Sequence, residues 1–235
     1  MNRFSIKCLP FLLVAMTCLP DISFGFHEQV RCQAFKDAIE LCPKDLQSFL
    51  KKNFDAVHEG LHFAERNRQW RDSIRPQDGE TYYQRVVQDL REGKLDDYNT
   101  AHRLGMLACF IAETISPGDY LSTAERLIPD EVVYGGFQRI SNVNSNISGL
   151  IANYRHPYRY RMKKQVNDFL FNVTVTQIVN YWTSAWQAGG RKTGLLAARG
   201  TTIAHEEEVL YFFGGGNVHG WAKSSSSGNV VRRVG

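Results

Sequence analysis

The chain lacks most of the signatures by which a catalytic class is read from sequence. It has no Cys-x-x-Cys pair, no glycine-rich phosphate loop and no Ser, His and Asp in a hydrolase order. Thioredoxin-like redox chemistry, P-loop nucleotide binding and serine hydrolysis are therefore without support. Beyond residue 25 no stretch of 18 apolar residues occurs, which argues against a membrane-spanning helix in the rest of the chain. A charge imbalance is also missing from most of the chain: residues 26–190 hold twenty basic and twenty acidic side chains, and the excess lies in residues 191–235, with six basic and three acidic. Cysteine is sparse. Two of the five precede residue 25, leaving Cys32, Cys42 and Cys109, an odd number that permits one disulfide and one thiol in three ways. If Cys109 is a core or ligand residue, Cys32 and Cys42 are the natural pair, but one straight helix would separate them by about 15 Å.

What the chain does contain begins with a basic MNRFSIK and an apolar CLPFLLVAMTCLP. That run has secretory length and is too short and proline-interrupted to span a bilayer. Residues 1–25 are expected to be a signal peptide with cleavage after Gly25 or, as second choice, after Ser23, and the mature protein to be secreted or periplasmic. Residues 26–190 read as one helical domain. The stretch AHRLGMLACFIAETISPGDY, 101–120, has hardly any polar side, the pattern of a helix enclosed by other helices. It is expected to be the central helix. At about 100° per residue it sets His102, Cys109 and Glu113 on one face, and Pro117-Gly118 ends it. An amphipathic helix is expected before the Leu41-Cys42-Pro43 break and a second after it, carrying Leu46, Phe49, Leu50, Phe54, Val57 and Leu61. A further helix holds Tyr83, Val86, Val87 and Leu90 inward and closes at Gly93. Short helices are expected over 122–127 and 137–154, the latter rich in Asn and Ser, and the longest from Pro157 to Gly189. The whole is an all-α domain of about seven helices. Residues 191–235, with Gly and Ser runs, read as a flexible tail, broken by a short helix over 201–213.

The central stretch LGMLACFIAETISPGD resembles the "LGxxxHxxxDxxxPxH" signature of the zinc-dependent phospholipase C and single-strand-specific zinc nuclease superfamily. Leu104-Gly105 and Pro117 match, and Cys109, Glu113 and Asp119 stand at the three ligand positions. The opening FGFHEQVRCQAF, with its following Cys-Pro break, is similar to the start of bacterial members. The resemblance implies zinc held by Phe26 (through its terminal amine), His27, Glu65, Cys109, Glu113 and Asp119, with Glu113 bridging two ions. It also implies hydrolysis of a phospholipid or other phosphoester by metal-bound water, a second ion holding the leaving oxygen. The family's last His-x3-carboxylate pair is replaced by Asn142 and Asn146, and amides are poor zinc ligands. A degenerate metal site with weak or lost activity is the expectation, and a non-catalytic binding scaffold the alternative. A carboxylate-rich site for a hard cation such as calcium is a third reading.

Two further features have a plain reading beside the functional one. His58 and His62 at i and i+4 share a helix face, as ligands do and as many solvated histidines do. Arg155, Arg159, Arg161, Lys163 and Lys164, interleaved with tyrosines, suit an anionic surface or a solvated helix face with snorkelling stems. Finally, a buried Glu113 with neither a cation nor a basic partner would be expendable.

Overall fold

The computed structural model describes residues 28–62, 75–93, 97–115, 128–154, 164–205 and 231–232. Among them are seven helices: α1 (Glu28–Leu41), α2 (Lys44–Lys52), α3 (Phe54–Leu61), α4 (Pro76–Glu92), α5 (Asp97–Ile115), α6 (Val143–Tyr154) and α7 (Lys164–Ala188). Three short strands, β1 (Glu131–Val133), β2 (Thr202–Ala204) and β3 (Val231–Arg232), form one antiparallel sheet in that order. The fold is all-α with this small sheet attached. The presumed leader and its cleavage site, Phe26, His27, Glu65, Asp119, the helix expected over 122–127 and Arg155, Arg159, Arg161 and Lys163 lie outside the described residues; of Lys164 only the backbone is described. Among the described residues no helix is long and apolar enough to cross a membrane.

The central position of α5 follows from its composition. Every residue from Leu107 to Ile115 is buried, and α1, α2, α3, α4, α6 and α7 all pack against it. At the crossing with α3 the two backbones meet through glycine. A Cβ on Gly60 would lie 2.1 Å from the His102 carbonyl oxygen, and one on Gly105 would lie 2.1 Å from that of Val57. Helix α5 also receives Trp182 of α7, whose indole Nε1 donates to the Leu104 carbonyl at 2.9 Å. Helix α4 starts as its sequence dictates: Pro76 occupies the first turn, the Asp78 carboxylate accepts the Arg75 N–H at 3.1 Å, and Gly93 ends it at φ +59°.

Helix α7 carries a polar row beside its apolar residues. Asn172, Thr176, Asn180 and Ser184 recur every fourth residue, so they line one face. Their side-chain oxygens accept the backbone N–H groups of Val133, Gly135, Gln138 and Ile140 at 3.2, 3.0, 2.9 and 2.9 Å. The end of β1 and the segment after it are thus laid along a helix whose side chains satisfy these four donors. This explains why α6 starts at Val143 and not at 137: Asn142 caps it, its Oδ1 accepting the Ser145 N–H at 2.9 Å.

Part of the expected tail returns to this body. β2 pairs with β1 in the register Glu131↔Ala204, Val132↔Ile203, Val133↔Thr202, and Ile203 is buried beside Val132 in the core. The helix expected over 201–213 is therefore a strand at Thr202–Ala204; residues 206–213 lie outside the described set. The Cys32–Cys42 disulfide is not formed, and all three cysteines are thiols. The cause is that α1 runs unbroken through Cys32 to Leu41, which puts the two residues about 15 Å apart along its axis. Burial and the neighbouring Glu40 push the Cys42 thiol far above its ordinary range, so it stays protonated.

Candidate metal centre and its neighbours

Of the residues that the resemblance assigns to zinc, Cys109 and Glu113 are described. Both are buried on α5, one turn apart. His102, expected on the same buried face, is only half-buried. The Glu113 carboxylate accepts a hydrogen bond from Nη1 of Arg31, which reaches it from α1. Both side chains are more than nine-tenths buried, so the attraction of each for the other offsets part of the desolvation cost that both carry. The basic partner that would make Glu113 indispensable is therefore present. The position that the resemblance gives to a metal-bridging carboxylate carries a guanidinium instead, and this positive charge opposes a cation at the same oxygen. Asn142 and Asn146, at the spacing of the missing ligand pair, are used structurally: Asn142 caps α6, and Asn146 Oδ1 accepts the Tyr181 hydroxyl at 2.8 Å. Of the described members of the implied zinc set, Glu113 is thus engaged by a cationic side chain.

One residue along α1 from Arg31, a second cluster forms. Cys32 Sγ lies 3.6 Å from His58 Nε2, and His58 Nε2 lies 3.4 Å from His62 Nε2. The two imidazoles meet edge to face with centroids 4.5 Å apart, and Phe54 lies 5.9 Å from the His58 ring. Among the described residues no three His, Cys, Asp or Glu side chains are arranged to hold a metal ion. The histidine pair was legible from its i, i+4 spacing. Cys32 was not, because nothing local says which face of α1 meets α3.

A third polar group joins α1 to the returning strand. Asp37 is 1% exposed, and its two oxygens lie 3.1 and 3.0 Å from His205 Nε2. Gln33 Nε2 donates to Asp37 Oδ1 at 2.9 Å. His205 Nδ1 lies 2.6 Å from the Pro129 carbonyl oxygen. Both ring nitrogens thus face acceptors, which suits the doubly protonated imidazolium. Burial alone pulls the His205 pKa down; the hydrogen bond and charge of Asp37, the Pro129 carbonyl and Asp130 outweigh it, and the net shift is upward. His205 falls in the segment 201–213 expected to be a short helix, and sequence carries no signal that pairs it with Asp37.

A polar cleft of about 480 Å³ opens beside α6, lined by Arg139, Asn142, Asn146, Asn153, Tyr154 and Gln177. The Gln177 Oε1 atom is buried there without a hydrogen-bond partner. Comparison of the chain with protein-family models, curated proteins and solved structures gives no match.

Proposed function

We propose that this chain is an exported, divergent relative of the helical zinc phospholipases C that binds its target with little or no phosphoester hydrolysis. The observation that carries this reading is the buried Arg31–Glu113 pair. Hydrolysis of this type needs a carboxylate shared between ions, and here that carboxylate is neutralised by a guanidinium. The roles of Asn142 and Asn146 as a helix cap and a tyrosine acceptor support the same reading, since neither supplies an anionic ligand. Phospholipid or another phosphoester remains the target class. Arg155, Arg159, Arg161, Lys163 and Lys164 provide the cationic surface for it, a reading based on their sequence clustering.

The test is a hydrolysis assay of metal-replete mature protein on phosphatidylcholine and on single-stranded DNA, beside Glu113→Ala. We expect rates at least about three orders of magnitude below a working enzyme of this type, equivalent to roughly 4 kcal/mol of lost transition-state stabilisation. Fast turnover by the parent protein that Glu113→Ala abolishes would restore the enzyme reading. Intact-mass analysis of exported protein tests secretion: loss of residues 1–25 is expected, and a retained Met1 would remove that part of the proposal.

A further inference from the structure

We infer that the cleft beside α6 binds an acidic saccharide, a sugar ring bearing one carboxylate or phosphate. The first observation is Gly149. Among the described residues four glycines lie inside helices, Gly60, Gly79, Gly105 and Gly149. A Cβ on any of the first three would lie 2.1 Å from a packed neighbour, whereas one on Gly149 would meet nothing within 4 Å. Packing therefore explains three of the four. Glycine is the poorest helix former after proline, so at Gly149 the helix carries a weakness for which its own packing gives no reason. What the missing side chain does leave is open space, because Gly149 lines the cleft of about 480 Å³.

The other lining residues indicate what that space suits. Asn142, Asn146, Gly149 and Asn153 recur every third or fourth residue, so one face of α6 and its cap forms a wall of the cleft. The oxygens of Asn142 and Asn146 are engaged, by the Ser145 N–H at 2.9 Å and the Tyr181 hydroxyl at 2.8 Å. Each amide plane is thereby fixed, and its NH2 end is the donor it can offer a ligand. Ring hydroxyls match such donors, since each accepts as well as donates. Tyr154 lines the cleft and packs on Phe169 with ring centroids 6.2 Å apart; a flat aromatic surface suits the C–H face of a sugar. Arg139 is the charged residue of the lining, with no acid beside it there, so its guanidinium is matched to a carboxylate or phosphate oxygen of the ligand. A bare anion would leave the amide wall and the ring without a partner, and a lipid chain would lie against amides. The volume falls in the range of small-ligand pockets, about 300–1,000 Å³. Cys109 and Glu113 do not line the cleft, so binding here is independent of the phospholipase-type centre.

The experiment is calorimetric titration of the purified full-length chain with glucuronate, glucose 6-phosphate, glucose and inorganic phosphate. Saturable binding of one acidic sugar per chain is expected, and the tighter of the two acidic sugars names the preferred anion. Glucose and inorganic phosphate should each bind at least about 10-fold more weakly, the loss expected for a missing hydrogen bond to a charged group or for a missing set of neutral ones. Arg139→Gln should bring the acidic sugar down to the affinity of glucose. Gly149→Met puts a side chain into the open space and should abolish binding, while the thermal midpoint stays level or rises because methionine is the better helix former. No saturable binding of either acidic sugar overturns the assignment. So does glucose or inorganic phosphate binding as tightly as the better acidic sugar, or a folded Gly149→Met that keeps the parent affinity. A lowered midpoint in Gly149→Met would show that the glycine serves packing, and with unchanged binding by Arg139→Gln it overturns the assignment as well.

Discussion

Two polar arrangements, one fully buried and one that runs from the surface into the core, hold this helical body together by opposite means. The Arg31–Glu113 pair joins α1 to α5 with two full charges, and the row Asn172, Thr176, Asn180 and Ser184 joins α7 to residues 133–140 with neutral hydrogen bonds. Each charge of the pair is tolerable only because of the other. Each rung of the row is a modest gain, backed by three more. The difference teaches where the fold is brittle: at single charged contacts between distant elements, and not along a repeated neutral ladder. The Gly60–Gly105 crossing is brittle for a third reason, since it depends on the absence of atoms.

The sharpest way to break the comparison is at the pair. Glu113→Ala should destabilise by about 3–5 kcal/mol because it leaves the Arg31 guanidinium buried without its carboxylate, whereas the joint replacement Arg31→Met with Glu113→Leu should recover most of that loss. Chemical denaturation of the two variants beside the parent protein measures both values. A loss below about 1 kcal/mol for Glu113→Ala, the scale of an exposed pair, would show that water reaches Arg31. Next comes Gly105→Ala, which places a methyl 2.1 Å from the Val57 carbonyl oxygen. Overpacking of this kind costs about 3 kcal/mol, and an unchanged denaturation midpoint would mean that α3 slides freely on α5.

The ladder should give way more gently. Ser184→Ala leaves the Ile140 N–H without its acceptor and should cost about 1–3 kcal/mol. Thr176→Ala, on a rung reaching the exposed Gly135, should cost less, because water replaces the lost acceptor. Equal losses at the two rungs would erase the distinction between inner and outer rungs.

The smallest effect is the pH dependence of the His205 tether. Its folded pKa lies above the ordinary 6.5, so the tether's contribution is complete below that value and is lost as pH rises through the raised folded value. Asp37→Asn removes the largest upward cause and should lower the pKa of the ring, read by NMR titration. It should also flatten the fall in stability over that interval. A His205 pKa unchanged by Asp37→Asn would show that the Pro129 carbonyl and Asp130 suffice to raise it.

Much of the fold was legible before the structure. The apolar faces of 101–115, of Leu46 to Leu61 and of Tyr83 to Leu90 have helical periods, and burial of such a face is what forms a helix bundle; the one helix expected over Leu46 to Leu61 is nevertheless two, α2 and α3, divided at Asn53. Gly93 as a terminator and the enclosure of α5 follow from the same local rules. Strands of two or three residues were not legible, because they are shorter than any alternation that marks a strand. The polar row on α7 was written in the sequence at helical spacing, but only the nearby loop shows what it is for.

The sequence by itself determined which segments become helices, where several of them stop, and which residue types were available as ligands. These are local properties, set by side-chain size, polarity and backbone preference within a few residues. Only the tertiary structure decided that Glu113 meets Arg31 across the bundle, that Cys32 joins the pair His58 and His62, and that Asp37 takes hold of His205. Each of these unites residues from separate elements, and their meeting depends on how helices rotate and cross as the common core closes. That packing is a property of the whole chain, which no local pattern encodes.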